Sequence, residues 1–141
     1  MPEVKLLGPA DSDILNHVAA DVFDDPIVIS SAQEFLNDAR HRLVVALDDH
    51  LVVGFVSAVI YLHPDKSAPE LWVNEIGVAP THQRQGIGKM LLQYLLEDAR
   101  QSGCVEAWVL TERQNVAAMA MYRSAGGIEE NPNPTMFTFH L

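Results

Sequence analysis

The residues whose types and spacing most plainly indicate chemistry form a glycine-rich turn, Gln83-Arg84-Gln85-Gly86-Ile87-Gly88-Lys89. The turn follows a strand-like apolar run and opens an amphipathic helix, so unpaired backbone N–H groups gather at the helix start. Gly86 and Gly88 carry no side chains that would hold a ligand away, and the helix dipole adds partial positive charge at the same place. Such a turn is predicted to bind a phosphate.

Two familiar phosphate-binding loops do not match this turn. A P-loop needs Gly-x-x-x-x-Gly-Lys-Ser/Thr, but Gln83 stands at the first glycine position and Met90 replaces the Mg²⁺-binding hydroxyl. A dinucleotide-binding turn needs a third glycine, where this chain has Leu91. The phosphate therefore belongs to another class of ligand.

The elements around the turn predict one domain over residues 1–141, of α/β (α+β) class with a mixed, mainly antiparallel sheet flanked by helices. Alternating or continuous apolar runs predict strands at residues 4–7, 43–47, 51–62, 70–78, 104–110 and 135–140. Helical spacing predicts helices over residues 11–23, after a cap at Ser30 or Ser31, from Ile87 to the Ser102-Gly103 stop, and over residues 115–125. Asp48-Asp49-His50 is predicted to be a hairpin turn.

Composition narrows the function classes. The net charge is −10, from 19 acidic and 9 basic side chains, which argues against a nucleic-acid partner. No apolar run approaches ~18 residues, so we expect no membrane span. The start of the chain does not resemble a secretory signal, and the single Cys104 has no internal disulfide partner, which favours the cytoplasm. The six histidines do not show metal-ligand spacing, so no metal site is expected.

The pattern Gln-x-x-Gly-x-Gly after a strand resembles the acyl-CoA pyrophosphate loop of the GNAT superfamily of N-acetyltransferases. The resemblance covers residues 71–126 well, since a strand precedes the turn and a later helix carries Asn115 and Tyr122. It implies acetyl-CoA as the cofactor, with the pantetheine arm along one strand edge and the pyrophosphate on the turn. The residues that it places at the cofactor are Ile76, Gly77, Val78, Gln83, Arg84, Gln85, Gly86, Ile87, Gly88, Lys89 and Asn115.

Acetyl transfer to an amine needs a proton acceptor for the amine and a proton donor for the leaving thiolate. Glu75 is the candidate base, because burial in the apolar run of residues 71–78 would raise its pKa, and relatives often place an acidic residue on this strand. Tyr122 occupies the tyrosine position that protonates the thiolate in this resemblance. The alternatives are a solvated Glu75, on a face shared with Val73 and Gly77, and a Tyr122 that belongs to the core.

Four other features keep an alternative interpretation. Asn115 is suited to the pantetheine arm, to a plain helix N-cap, or to both. The side chains of Arg84 and Lys89 reach phosphates or are merely surface charges at a helix start. Trp72 and Trp108 are expected in the core or at a subunit contact. Gly127 stands where the family usually has an aromatic or aliphatic residue, so packing after the Tyr122 helix is open.

The acceptor is predicted from acidic residues. Within the superfamily, residues 70–78, residues 81–88 and the stretch from Tyr122 to Glu130 are most similar to aminoglycoside 3-N-acetyltransferases. Asp24, Asp25, Glu75 and Glu129 are the predicted binding residues for a cationic amine, in a chain expected to be a homodimer. The alternatives are a GNAT enzyme acting on a polyamine, another small amine or a protein amine, and a non-catalytic acyl-CoA-binding module.

Overall fold

A five-stranded sheet forms the centre of the computed structural model, which describes all residues 1–141. Its strands lie side by side in chain order: β1 (Glu3–Leu6), β2 (His41–Asp48), β3 (Leu51–Tyr61), β4 (Glu70–Val78) and β5 (Glu106–Val109). Neighbouring strands are antiparallel, except that β4 and β5 are parallel. The mixed, mainly antiparallel sheet predicted from the sequence is confirmed.

Helices cover both faces of this sheet. Helix α2 (Ile87–Gln101) packs on β2, β3 and β4, and we call that side of the sheet the α2 face. Helix α1 (Ile29–Asn37) and a 3₁₀ turn (Ser12–Asn16) lie against the other side, the α1 face, and α3 (Val116–Ser124) packs beside α2. The longest helix, α2, has 15 residues, and no helix is both long and apolar enough to span a membrane.

The core lies mainly between α2 and the sheet. Ile87, Leu91 and Leu95 of α2 are almost wholly buried, as is Leu71 of β4. Replacing one such leucine by alanine costs about 2–5 kcal/mol of unfolding free energy. This packing fixes the start of α2, and therefore the glycine turn, relative to β4.

A β-bulge at Asn74 determines which side chains of β4 share a face. Ser57 of β3 pairs with Glu75, whereas the next residue, Ala58, pairs with Val73, so Asn74 is one residue in excess. Val73 is consequently buried on the α2 face, and Glu75 lies on the α1 face. The sequence expectation that Val73 and Glu75 share a face is therefore wrong.

The bulge also lies where β4 leaves its parallel neighbour. Pairing between β4 and β5 ends at Val73 and Val109, although β4 continues to Val78. A bulge bends its strand and increases the local twist, which accounts for the divergence at this point. Residues 74–78 therefore border an open gap on the β5 side.

The helix predicted over residues 11–23 is wrong. Only Ser12–Asn16 is helical, as a 3₁₀ turn, and the chain then runs alongside β3, where the Val18 backbone forms a parallel bridge to Val52. Hydrogen bonds to β3 satisfy the backbone of this segment instead of helical ones, and Asp21 has a left-handed φ of 62°. The apolar spacing was nevertheless informative, since Leu15 and Val22 are buried.

Three smaller expectations also need correction. Helix α1 begins after Val28 without a side-chain cap, so the predicted serine cap is not formed. Strand β5 is shorter than the predicted residues 104–110. The closing strand predicted at residues 135–140 is absent: this segment pairs with no other strand, and Phe137 and Phe139 are exposed.

Candidate active site

The glycine turn presents a cluster of unpaired backbone donors. None of the backbone N–H groups of residues 83–89 donates to a backbone carbonyl, and the first such bond of α2 comes from Met90 to the Gly86 carbonyl at 3.1 Å. Arg84 and Gly86 have left-handed φ angles of 62° and 81°, and alternating hands of this kind aim successive N–H groups into one concavity. A β-carbon at Gly86 would meet no atom within 4 Å, so the space above it is open. The turn fits an anionic phosphate group.

Side chains anchor the entrance to this turn. The Gln83 amide donates to the Val78 carbonyl at 3.1 Å, which ties the turn to the last residue of β4. His82 Nε2 lies within hydrogen-bonding distance, 2.8 Å, of Asp48 Oδ2 at the β2–β3 hairpin. The predicted hairpin turn is confirmed, with Asp49 and His50 both in the left-handed region. The Gln83 side chain thus holds the turn rather than lying free for a ligand.

Neither Arg84 nor Lys89 takes part in an ion pair of the structure. Both cations lie in the turn or in the first turn of α2, next to the unpaired N–H groups. Their charges are therefore free to meet phosphate oxygens.

Gly88 serves helix packing as well as ligand approach. A β-carbon at Gly88 would lie 2.8 Å from the Met121 sulfur of α3 and 3.9 Å from side-chain atoms of Ile76 and Val78. The missing side chain lets α3 approach the start of α2. The sequence interpretation, which assigned this glycine only to ligand clearance, is incomplete.

The gap beside β4 offers backbone groups for a second set of contacts. Because the Ala79 N–H donates to β3 at Val53 and the Val78 carbonyl faces Gln83, the backbone groups of Val78 point away from β3. Strand alternation then points those of Ile76 into the gap and those of Gly77 toward β3. The N–H groups of Ile76 and Val78 and the carbonyl of Ile76 are thus placed to pair with amides of an extended ligand arm.

Gly77 supports the other side of the strand. A β-carbon there would lie 2.4 Å from the Val22 carbonyl oxygen, so the glycine lets the segment after the 3₁₀ turn lie directly on β4. Gly77, predicted at the cofactor, thus turns its backbone groups toward β3 and its open side toward Val22 on the α1 face.

Helix α3 carries the two remaining cofactor-side candidates. Asn115 is its N-cap, where the side chain accepts a hydrogen bond from the Ala118 N–H at 3.1 Å. The helix ends in paired bonds from the Gly126 N–H to the Arg123 carbonyl and from the Gly127 N–H to the Tyr122 carbonyl, at 3.0 and 2.9 Å, which form a Schellman motif. A β-carbon at Gly127 would lie 2.8 Å from the Tyr122 carbonyl oxygen, so the missing side chain allows the chain to close α3 at this point.

Tyr122 is half-buried against the core. Burial alone raises the pKa of its hydroxyl above the ordinary value of 10.0. The hydroxyl is consequently protonated throughout the neutral range and can act as a proton donor.

Glu75 lies in the wall of a cavity of about 360 Å³ on the α1 face. The cavity is also lined by Ser57 and Phe55 of β3 and by Asp24 and Asp25. The Glu75 side chain is exposed, so the predicted burial is wrong, and its carboxylate takes part in no ion pair. It is free to accept a proton from a ligand in the cavity.

An adjoining cavity of about 590 Å³ shares Asp24 and Asp25 and adds Asp21. No lysine, arginine or histidine lines either cavity, so the field there is negative. Asp21 was not among the predicted binding residues, although residues 1–39 hold eight acidic side chains, Asp21 among them, and one lysine. The fourth predicted residue, Glu129, does not line these cavities. Its carboxylate is bound by Arg113 and Arg123, which lower its pKa.

Comparison with known protein families finds a match over most of the chain. Residues 12–126 match the profile described as the acetyltransferase (GNAT) family. The chain is 31% identical over 85 residues to the [ribosomal protein bS18]-alanine N-acetyltransferase of Salmonella typhimurium, a match that covers 60% of this chain and 53% of that protein. The chain thus spans about half the length of this curated relative.

Solved structures share the fold at lower identity. An aminoglycoside acetyltransferase from an uncultured soil metagenomic sample, in complex with sisomicin, superposes with a TM-score of 0.79 at 21% identity, covering 98% of this chain and 96% of that one. AAC(6')-Iy in complex with a bisubstrate analog, CoA-S-monomethyl-acetylneamine, superposes with a TM-score of 0.78 at 17% identity, covering 100% and 99%. Both matches extend over nearly the whole chain.

Proposed function

Because the chain belongs to the acetyltransferase (GNAT) family, we propose that it transfers the acetyl group of acetyl-CoA to a primary amine of a polycationic small molecule. One observation carries the proposal: β4 joins two half-sites. Glu75 faces the carboxylate-lined cavity, and the next residue, Ile76, turns its backbone groups into the gap that leads to the phosphate turn. An amine and an acyl donor would therefore meet across one strand.

Each half-site has a defined task in this proposal. Acetyl-CoA supplies an acetyl group activated as a thioester. Arg84, Lys89 and the N–H groups of residues 83–89 hold its pyrophosphate, and Ile76 and Val78 hold the pantetheine arm through backbone hydrogen bonds. Asn115 caps α3 and keeps that helix in place beside the arm.

The proton transfers follow from the same geometry. Glu75 accepts the proton of the bound ammonium, directly or through a water molecule, so that the amine gains a lone pair for attack. A backbone N–H of Ile76 or Val78 stabilises the negative charge that develops on the acetyl oxygen. The Tyr122 hydroxyl donates a proton to the leaving sulfur, a role that its raised pKa permits at neutral pH.

We infer that the amine belongs to an aminoglycoside. Asp21, Asp24, Asp25 and Glu75 suit several ammonium groups on one molecule, and solved relatives named for aminoglycosides share the fold. The sequence stretches around Glu75 and Tyr122 favour the 3-amino group, whereas AAC(6')-Iy is named for the 6' position. NMR of the acetylated product would determine the position.

A protein amine is the second candidate acceptor. It is favoured by the bS18-alanine N-acetyltransferase, which at 31% identity is a nearer relative in sequence than those two solved structures. An exposed cavity with Asp24 and Asp25 at its mouth can also take the N-terminal ammonium of an extended peptide.

The test is release of CoA thiol from acetyl-CoA with a panel of aminoglycosides, linear polyamines, simple amines and an alanine-initiated peptide. We expect the fastest release with aminoglycosides and a higher KM for them in the Asp24→Asn/Asp25→Asn variant. Asp13→Asn/Glu34→Asn, which removes two charges from exposed positions outside both cavities, is the control. Tight CoA binding without thiol release from any amine would instead indicate a non-catalytic acyl-CoA-binding module.

A further inference from the structure

Both tryptophans of the chain lie together on the α1 face, beyond the Glu75 cavity. Trp72 and Trp108 are register partners on β4 and β5, and their rings are stacked with centroids 5.0 Å apart at 12°. The Trp72 side of the pair is open, since 39% of this residue is exposed. We call this pair the indole ledge.

The bulge at Asn74 aligns the ledge with Glu75. Trp72 pairs with Val59 of β3 and Glu75 pairs with Ser57, and residues two apart on a strand share a face. The ledge is therefore one step along the sheet from Glu75, a separation of about 7 Å between strand positions. A ligand that binds in the Glu75 cavity and extends along β4 would contact Trp72 after Glu75.

A chain of hydrogen bonds holds the Trp108 ring of the ledge. The Trp108 indole N–H donates to the Tyr61 oxygen at 2.6 Å, and the Tyr61 hydroxyl donates to Glu70 at 3.2 Å. Glu70 also lies 2.7 Å from His63 Nε2. The Trp108 ring is thus held by a hydrogen bond and supports the stacked Trp72 ring, and such preorganisation lowers the entropy cost of binding.

The ledge is negatively charged on one side. Glu70 and Glu106 are register partners, and like charges in that position repel each other unless a cation intervenes. The Tyr61 hydroxyl donates to Glu70, and burial, with the charges of Glu70 and Glu106, raises its pKa. Glu106 has no ion-pair partner, and Lys66, the lysine nearest in sequence to Glu70, pairs with Asp65.

We propose that the indole ledge is a distal subsite of the acceptor site, which binds a second ammonium group of the substrate while the reacting amine lies at Glu75. An organic cation over an indole face is attracted by the ring quadrupole, and Glu106 adds an opposite charge. The substrate class is then an amine with two cationic groups about 7–10 Å apart along the strand direction. This inference rests on the proposed function for the position of the reacting amine.

The chain is well suited to a direct test, because all its tryptophan fluorescence comes from the ledge. Hexamethylenediamine and hexylamine share one end and differ in the second ammonium. We expect the diamine to change the emission of the protein without acetyl-CoA, and to do so at a lower concentration than the monoamine. With acetyl-CoA, we expect a higher kcat/KM for the diamine.

Trp72→Leu should reduce the diamine-to-monoamine ratio of kcat/KM about tenfold, the size of a cation–π contact, and Trp72→Phe should restore part of it. Tyr94→Leu, an equally exposed aromatic on α2, is the matched control and should leave the ratio unchanged. An undiminished ratio in Trp72→Leu would overturn the subsite while the proposed acetyl transfer stands.

The emission titration separates the remaining outcomes. If no amine releases CoA, the proposed function fails, and a diamine-specific emission change still establishes the ledge as a cation site. No emission change with the diamine overturns it. A protein-concentration-dependent blue shift, with a doubled mass in light scattering, would show that a second copy covers the ledge and would also overturn the proposal.

Discussion

At the scale of single residues, Glu75 combines exposure with freedom from ion pairs. Its carboxylate can accept a proton without first losing a partner, and Ser57 beside it is the only polar side chain of β3 in the cavity wall. The base role therefore depends on the position of this side chain in the cavity wall and on its freedom from ion pairs.

Glu75→Gln should lower kcat by about 10²–10⁴, because the amide keeps the shape but cannot take a proton. Acetyl-CoA affinity should stay nearly unchanged, since Glu75 faces away from the gap. Steady-state thiol release and calorimetric CoA binding measure the two effects. Glu34→Gln on α1 is the control, and loss of CoA binding in Glu75→Gln would show that the residue is structural.

Tyr122→Phe should lower kcat about a hundredfold with little change in either KM. Because burial raises the pKa of Tyr122 above 10.0, the hydroxyl donates only below that folded pKa, and we expect the wild-type rate to fall only above pH 10. A pH–rate profile of wild type and variant checks this, with the exposed Tyr94→Phe as control. A decline that begins near neutral pH in the wild type would exclude Tyr122 as the acid.

At the scale of elements, the glycine turn can be tested with an internal control. Gly86 and Gly103 begin and end α2 with φ angles of 81° and 89°, and a β-carbon at either would meet no atom within 4 Å. Valine at either position therefore carries a similar backbone cost, about 1–2 kcal/mol.

Gly86→Val should remove most CoA affinity, because the side chain fills the phosphate site, whereas Gly103→Val should lose only stability. Thermal unfolding and CoA binding on both variants separate the two effects. Equal CoA affinity in the two variants would contradict the assignment of the turn.

The elements with strong local signals were predictable from the sequence. The strands β2 to β4 and helix α2 follow continuous or periodic apolar runs bounded by turn residues. The N-cap, one of the two roles that the sequence left open for Asn115, is formed. The true structure of residues 11–23 was not predictable, because the apolar spacing there is helical but the backbone after Asn16 pairs with β3. Only a tertiary partner distinguishes the two.

The parts of the candidate site that are formed by one turn could be predicted from the sequence. The parts that depend on strand register were harder to predict. The unpaired N–H groups of residues 83–89 follow from two glycines and a helix start. The face of Glu75 depends on the bulge at Asn74, which no residue type there announces. The ion pairs of Glu129 with Arg113 and Arg123 also depend on tertiary contacts, so its role in binding an amine stays a prediction.

At the scale of the whole molecule, the net charge is −10, and the two cavities where the acceptor is proposed to bind are lined by carboxylates without a basic side chain. Asp21, Asp24 and Asp25 are exposed, so salt screens their attraction for a cation. At 0.1 M salt the screening length is about 10 Å, and it shortens as the salt concentration rises. The same field would also speed the encounter with a polycation.

We therefore expect the KM of a polycationic amine to rise several-fold between low salt and about 0.5 M salt, and that of a monoamine to rise much less. The Asp24→Asn/Asp25→Asn variant should show a shallower dependence for the polycation. Kinetics at fixed acetyl-CoA saturation measure this, and a salt effect independent of substrate charge would contradict it.

The exposed C-terminal residues belong to the same scale. Met136, Phe137 and Phe139 are each more than 80% exposed, although the alternation of Phe137 and Phe139 with polar residues is typical of a strand. A homodimer stays a prediction for this chain, and an unpaired apolar segment is a surface that association would cover.

The bulge at Asn74 favours cofactor binding at the expense of the stability of the fold. Five residues of β4 forgo sheet pairing on their β5 side, and those unpaired groups are the ones proposed to receive the ligand arm. Deleting Asn74 would leave Glu75 opposite Ser57 and remove the bend that separates the strands. Such a variant should melt at a higher temperature and bind CoA more weakly, a trade of cofactor capacity for rigidity that differential scanning calorimetry would reveal.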